Sequence, residues 1–319
     1  MLKIALEEHF DAPAMVAAGY DAADLARFPR ESGSRIRRLL EDLDDTRIAT
    51  MDACGIGVMV LSQTAPGVQV EKDAAKAARL ARDANDYLAQ RIARHPTRYA
   101  GFAHLALQDP QGAADELERC VGDLGFVGAL VNHHTNGEYL DADRFTPFWE
   151  RVVSLGVPVY LHPADPYDSP HVYRGCPGLS GPAWTWNCET SAHALRLVFA
   201  GTFDRFAGAK LILGHMGETI PFYLWRLDSR FALMNPAARR MPSQIIREHL
   251  YVTTSGVCSN AALRCTIDEL GSDRVLFSTD YPYEDAAVAA SWIDAAPLTV
   301  EERRNVTSEN AKRILRGIP

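Results

Sequence analysis

Lys3-Ile4-Ala5-Leu6 runs directly into Glu7-Glu8-His9, a strand-like apolar stretch that ends on residue types able to bind a metal. The pattern recurs along the chain. Val157-Pro158-Val159-Tyr160-Leu161 runs into His162-Pro163, Leu211-Ile212-Leu213-Gly214 into His215, and Val275-Leu276-Phe277-Ser278-Thr279 into Asp280. One such ending is ordinary, but four in one chain are not. If the strands are parallel neighbours in a barrel, their ends converge at one mouth, where barrel enzymes keep their chemistry. A mononuclear metalloenzyme follows.

Eight short apolar runs alternate with amphipathic stretches of helical length. The runs are residues 3–6, 58–62, 99–103, 127–131, 157–161, 210–213, 250–254 and 274–278. Most lack polar alternation, as expected of strands covered on both faces. Helices are predicted over 71–94, 110–121, 145–155, 189–200 and 301–315, the second opened by Asp109-Pro110, a capping residue before a first-turn proline. With no internal linker, the pattern predicts a single (β/α)8 TIM-type barrel over residues 1–319. An open doubly wound sheet is the alternative, weakened by the absence of Gly-x-Gly-x-x-Gly after the first run. Long loops follow strands 1 and 5: residues 10–36 contain no clear strand, and 163–188 are dense in Pro, Gly and aromatics. Loops of that length are uncommon unless functional, so both are candidate active-site lids or oligomer surfaces.

Composition narrows the partners. The 319 residues are 47% hydrophobic and 23% charged, and the net charge of -8 speaks against nucleic acid, whose phosphates want a basic face. No apolar run is long enough for a membrane span, and the first strand starts with no charged leader or apolar secretory segment. A cytoplasmic protein is expected. The six cysteines form no C-x-x-C pair and read as reduced thiols, mostly buried.

Glu7 and His9 lie two apart on a strand, so both leave one face, with Glu8 on the other. His162 and Asp280 supply a third and a fourth candidate ligand. Two nitrogens with two oxygens suit zinc, manganese or iron rather than calcium or copper. Taken singly, each His is better read as a satisfied barrel histidine; together at strand ends they reverse that. His215, in Gly214-His215-Met216-Gly217-Glu218, is either a fifth ligand or a group that orients substrate and moves a proton. Arg226, eleven residues on, reads by position as a surface arginine. His104 and the Asn132-His133-His134 run could line the mouth, His193 packs in a helix, and His95, His171 and His249 read as surface or loop residues.

Ala5-Leu6-Glu7-Glu8-His9-Phe10, Tyr160-Leu161-His162-Pro163, Gly214-His215-Met216-Gly217-Glu218 and Phe277-Ser278-Thr279-Asp280-Tyr281-Pro282 resemble the amidohydrolase-2 branch of the amidohydrolase superfamily. More narrowly, they resemble its non-oxidative aromatic decarboxylases of the resorcylate type. Leu107-Gln108-Asp109-Pro110, Gly125 to Leu130 and Glu189-Thr190 with His193 to Leu197 extend the likeness over nearly the whole chain. The resemblance implies one divalent ion, zinc or manganese, held by Glu7, His9, His162 and Asp280. It implies that His215, Glu218 and Arg226 face the substrate. Asn132, Tyr281 and Tyr20 are further candidate substrate contacts. The chain departs from the resorcylate pattern at Asn132-His133-His134-Thr135, in the loop 164–181, and at Tyr281 and Tyr283, where Trp and Phe are expected.

The reaction implied is loss of CO2 from an ortho-hydroxylated aromatic acid, whose carboxylate and phenolate would share the metal while Asp280 protonates the ring carbon. 2,6-Dihydroxybenzoate is the first expected substrate, before 2,3-dihydroxybenzoate and salicylate. The rival is a metal-dependent hydrolase of a lactone, amide or ester, with Asp280 as general base. A catalytically silent metal scaffold is the non-enzymatic alternative. The resemblance is also to proteins that assemble as homodimers or homotetramers.

Overall fold

All eight runs form strands, because apolar side chains on both faces find cover only between a barrel interior and a helical layer. In the computed structural model, which describes residues 2–20 and 25–318, these are β1 (Lys3–Phe10), β2 (Ile56–Gln63), β3 (Tyr99–His104), β4 (Gly128–Asn132), β5 (Val159–His162), β6 (Leu211–Leu213), β7 (Leu250–Thr253) and β8 (Val275–Leu276). They pair in parallel and in sequence order. The ring closes just beyond β8, where the Asp280 amide donates to the Glu7 carbonyl (3.0 Å) and the His9 amide to the Tyr281 carbonyl (2.7 Å). The chain is a (β/α)8 barrel.

The interior is a buried cluster that includes Ile4, Leu6, Val58, Val60, Phe102, Leu130, Tyr160 and Ile212, joined by Ala311, Ile314 and Leu315 of the C-terminal segment. Alternate residues such as Met59, Leu61, Val131, Leu161 and Leu213 pack outward in a second cluster with the helices. That alternation breaks once where it matters. Ala5 pairs with Met59 but Glu8 with Leu61, so β1 holds one residue more than β2 over this stretch. The amides of Leu6 and Glu7 both donate to one hydroxyl, Ser278 Oγ. A bulge of this kind re-aims the side chains after it. Ile4 and Leu6 point inward; beyond the bulge Glu7 and His9 do, and Glu8 turns outward. There Glu8 accepts hydrogen bonds from Thr279 N (2.8 Å), Thr279 Oγ1 (2.5 Å) and Ser278 Oγ (3.1 Å).

The helical layer departs from expectation at its ends. The stretch after β1 contains a short helix, Pro13–Ala17, and leads into Arg30–Glu41, whose Ile36, Leu39 and Leu40 are buried. Asp109 precedes Pro110–Gly122 without a side-chain cap. The C-terminal helix is interrupted by a π turn over Asn305–Glu309. His249 is buried, its Nδ1 donating to the Ala209 carbonyl (2.9 Å), rather than exposed. Among the described residues no helix is long and apolar enough to cross a membrane.

Candidate active site

Two strand ends, those of β1 and β5, bring Glu7, His9 and His162 together, their ligand atoms all within 4.8 Å of one another. All three side chains are buried, and each is aimed by a neighbour. Tyr160, two residues before His162 and so on the same face, donates its hydroxyl to Glu7 Oε2. Glu7 Oε1 is left without a hydrogen-bond partner, 3.4 Å from His162 Nε2. His162 Nδ1 lies 2.8 Å from the Pro163 carbonyl, which can only accept, so the proton sits on Nδ1 and the Nε2 lone pair faces the carboxylate. Burial, then the neighbouring His9, push His162 well below the ordinary imidazole pKa, which keeps it neutral. His9 Nε2 has no hydrogen-bond partner and lies 3.2 Å from Asp280 Oδ1. Buried acceptors without donors are costly unless something electropositive occupies the space between them. The donor set of two imidazoles and a carboxylate, with Asp280 at its edge, fits one divalent ion of the zinc or manganese type.

Above this floor stand the residues that reach the cavity. His215 keeps 23% of its side chain exposed and Asp280 15%, against none for Glu7. His215 and Asp280 are therefore open to the cavity, whereas Glu7 is not. His215 Nδ1 pairs with Glu218 Oε1 (2.7 Å), directing Nε2 toward Asp280 Oδ2 at 3.7 Å. Burial opposes a charge on His215, but Glu218, Glu7 and Asp280 outweigh it and hold its pKa well above the ordinary range. Burial would raise Asp280 too, yet His215 and His9 hold its carboxyl below the carboxylate range. The two form an imidazolium–carboxylate pair, able to pass a proton.

The backbone here is strained. His215 (φ 50), Met216 (φ 59), Glu218 (φ 53), Thr219 (φ 67) and Asp280 (φ 64) all adopt the left-handed region and all line the cavity. Each such non-glycine residue costs about 1 kcal/mol or more, and outliers of this kind gather at functional sites. Gly214 is required for a different reason: a Cβ there would lie 2.8 Å from Glu7 Oε2.

The cavity has a volume of about 1090 Å³. Its outer wall comes from the two long loops, with Arg27 and Phe28 from the first and Ser180, Trp184 and Trp186 from the second. Asp165 ties these together, pairing with Arg27 and accepting from Trp186 Nε1 (3.0 Å). Tyr283 stacks on Phe28 and shares a 2.5 Å hydrogen bond with Thr64. Of the described residues lining the cavity, Arg27 is the one arginine or lysine. Sequence reasoning missed Arg27, Asp165 and Tyr160; only Tyr160 carried a signal, its spacing of two from His162.

Four expected substrate contacts sit elsewhere. Tyr281 is buried behind the site, its ring 4.6 Å from the Arg47 guanidinium. Tyr20 lies off the cavity, its hydroxyl on Glu71 and Lys76. Asn132 is buried at the end of β4 beside His162, near His104, and does not reach the cavity wall. His104 and His133 nearby are neutral, pushed down to about 4 by burial. Arg226 is exposed on the helix Ile220–Met234, away from its own cavity, because the helix carries it out of the mouth.

A model of the amidohydrolase family Amidohydro_2 matches residues 16–317. The chain belongs to this amidohydrolase family. Within it, this amidohydrolase is 42% identical to a γ-resorcylate decarboxylase of Polaromonas sp. JS666, with 98% of each chain covered. It is 43% identical, at the same coverage, to a γ-resorcylate decarboxylase of Rhodococcus jostii RHA1. Among solved structures it superposes on a dihydroxybenzoic acid decarboxylase of Polaromonas sp. JS666, with bound manganese and the inhibitor 2-nitroresorcinol, at a TM-score of 0.92. That match has 42% identity and covers 98% of this amidohydrolase and 96% of the other chain.

Proposed function

We propose that this amidohydrolase is a metal-dependent carboxy-lyase that removes CO2 non-oxidatively from ortho-hydroxylated aromatic acids, with 2,6-dihydroxybenzoate as its leading substrate. The observation that carries this is the Asp280–His215–Glu218 array standing over the buried Glu7–His9–His162 cluster. Three carboxylates near one floor would repel an anionic substrate. Glu7, His9 and His162 would hold a divalent ion, whose positive charge would offset this repulsion and the negative charge of an acidic substrate.

The residues then divide the proton work. The ortho hydroxyl gives up its proton as the acid binds, and Asp280 receives it, with His215 and Glu218 balancing the charge. Asp280 returns the proton to the ring carbon that carries the carboxylate. The C–C bond to the carboxylate breaks, CO2 leaves, and the ring regains its aromaticity as a phenolate. Trp184, Trp186 and Phe28 keep bulk water from the site, which strengthens every charge interaction inside it.

Manganese-loaded protein is therefore expected to release CO2 from 2,6-dihydroxybenzoate and to form resorcinol. Benzoate and 4-hydroxybenzoate, which lack the ortho oxygen, should be rejected by a factor on the order of 10⁴. Lactone or ester hydrolysis with no CO2 from any hydroxybenzoate would sink the proposal.

Association of copies fits the same surface that carries Arg226. Phe222, Trp225, Leu233 and Met234 of the helix Ile220–Met234 are each 70% or more exposed, a large apolar patch for a soluble chain. Phe222 also borders the cavity. Arg226, off its own cavity wall, touches substrate only if it reaches a neighbouring copy's. Sedimentation velocity should give a multiple of 35.2 kDa for the native chain. Trp225→Glu should shift it toward the monomer; a monomeric native protein excludes the idea.

A further inference from the structure

We infer that the part of the cavity walled by the segment after β7 is a subsite for an apolar ring substituent, so that the substrates include ortho-hydroxybenzoates bearing an alkyl chain. The inference rests on the decarboxylase reading above and narrows its substrate class. A cavity of about 1090 Å³ exceeds the roughly 300–1,000 Å³ that suffices for drug-sized ligands. A single-ring acid held at the metal floor leaves most of it empty.

The empty part has a definite position and chemistry. His215 follows β6 and Asp280 follows β8; between them the wall is supplied by Gly256, Val257, Ala261, Ala262, Cys265 and Thr266. The last four recur at four-residue spacing on the helix Asn260–Leu270, so one helical face of small side chains looks into the cavity. None of the six is ionised at neutral pH, whereas His215, Glu218, Asp280 and Glu284 bound the neighbouring walls. Met216, Pro221 and Phe222 also line the cavity.

This wall starts at the reacting groups. A Cβ on Gly256 would lie 3.0 Å from His215 Cδ2 and 3.5 Å from Asp280 Oδ2. A substituent on a ring poised at Asp280 therefore passes Gly256 into the small-residue face. A polar group there would lose water for few partners, while a methylene gains by leaving water. The substituent takes no part in the chemistry. Asp280 protonates the ring carbon, the bond from that carbon to the carboxylate breaks and returns its electron pair to the ring, CO2 leaves, and an alkylphenol or alkylresorcinol remains.

The test compares kcat/KM for 2,6-dihydroxybenzoate with two series of acids of growing chain length, 4-alkyl-2,6-dihydroxybenzoates and 6-alkyl-2-hydroxybenzoates. In the manganese-loaded enzyme at least one series should gain about three- to fourfold per buried methylene over the first few carbons. Ala262→Phe should lower the hexyl-to-methyl ratio by tenfold or more. Cys265→Leu serves as a second block should the first variant not fold. Turnover of 2,6-dihydroxybenzoate with no gain in either series overturns the subsite, as does a ratio unmoved by the blocking substitution. Turnover of none of these acids instead strikes the decarboxylase reading itself.

Discussion

Asp280→Asn is expected to cut decarboxylation by about 10³-fold or more while the enzyme still binds manganese and an unreactive analogue such as 2-nitroresorcinol. The amide has the size of the carboxyl but cannot take the proton of the ortho hydroxyl and return it to carbon. Positioned proton transfer typically contributes about 10²–10⁴-fold. Two contacts support Asp280 as the proposed donor: 3.2 Å to His9 Nε2 at the floor and 3.7 Å to His215 Nε2 above. Its amide, fixed by the Glu7 carbonyl, holds the left-handed turn whatever the side chain, so the variant should fold as the native chain does. Single-turnover CO2 release with metal content measured on the same sample decides the matter. A variant that decarboxylates at near the native rate would place the proton donor elsewhere.

His162→Ala should lose most of the bound metal and, with it, nearly all activity. His162 is one of three convergent candidate ligands, its tautomer set by the Pro163 carbonyl. The variant leaves Glu7 Oε1 and His9 Nε2 buried without that third partner. Manganese at about 1,000 times its dissociation constant should stabilise the native protein by ~4 kcal/mol, since only the folded state assembles the site. Thermal melts with and without manganese should show that shift for the native chain and little of it for His162→Ala. Full metal retention would remove His162 from the ligand set.

Much of this was legible before the fold was known. Strand positions could be read because fully buried strands are continuous apolar runs, and the six residues of the floor and proton array could be read because each closes such a run or sits within three residues of one that does. Other features left no local trace. Arg27 and Asp165 meet across 138 residues of chain, and neither stands in a patterned segment. Tyr281, a candidate contact as a departure from the family pattern, has its ring on Arg47 instead of the cavity wall, because the pairing of Glu8 with Tyr281 turns it there. Asn132 was placed at the right strand end, but the cavity leans toward the β5–β8 side and passes it by.

The extra residue in β1 has a consequence for anyone who would build such a site anew. Copied onto a regular strand behind Ile4 and Leu6, Glu7-Glu8-His9 would present a single carboxylate, Glu8, to the interior, and would bury Glu7 and His9 among helices that offer them nothing. A transplanted motif would thus keep every residue of the original and lose two of its ligands. The portable unit is longer than three residues. It includes the kink and the hydroxyl of Ser278, some 270 positions away, that captures the two amides the kink sets free.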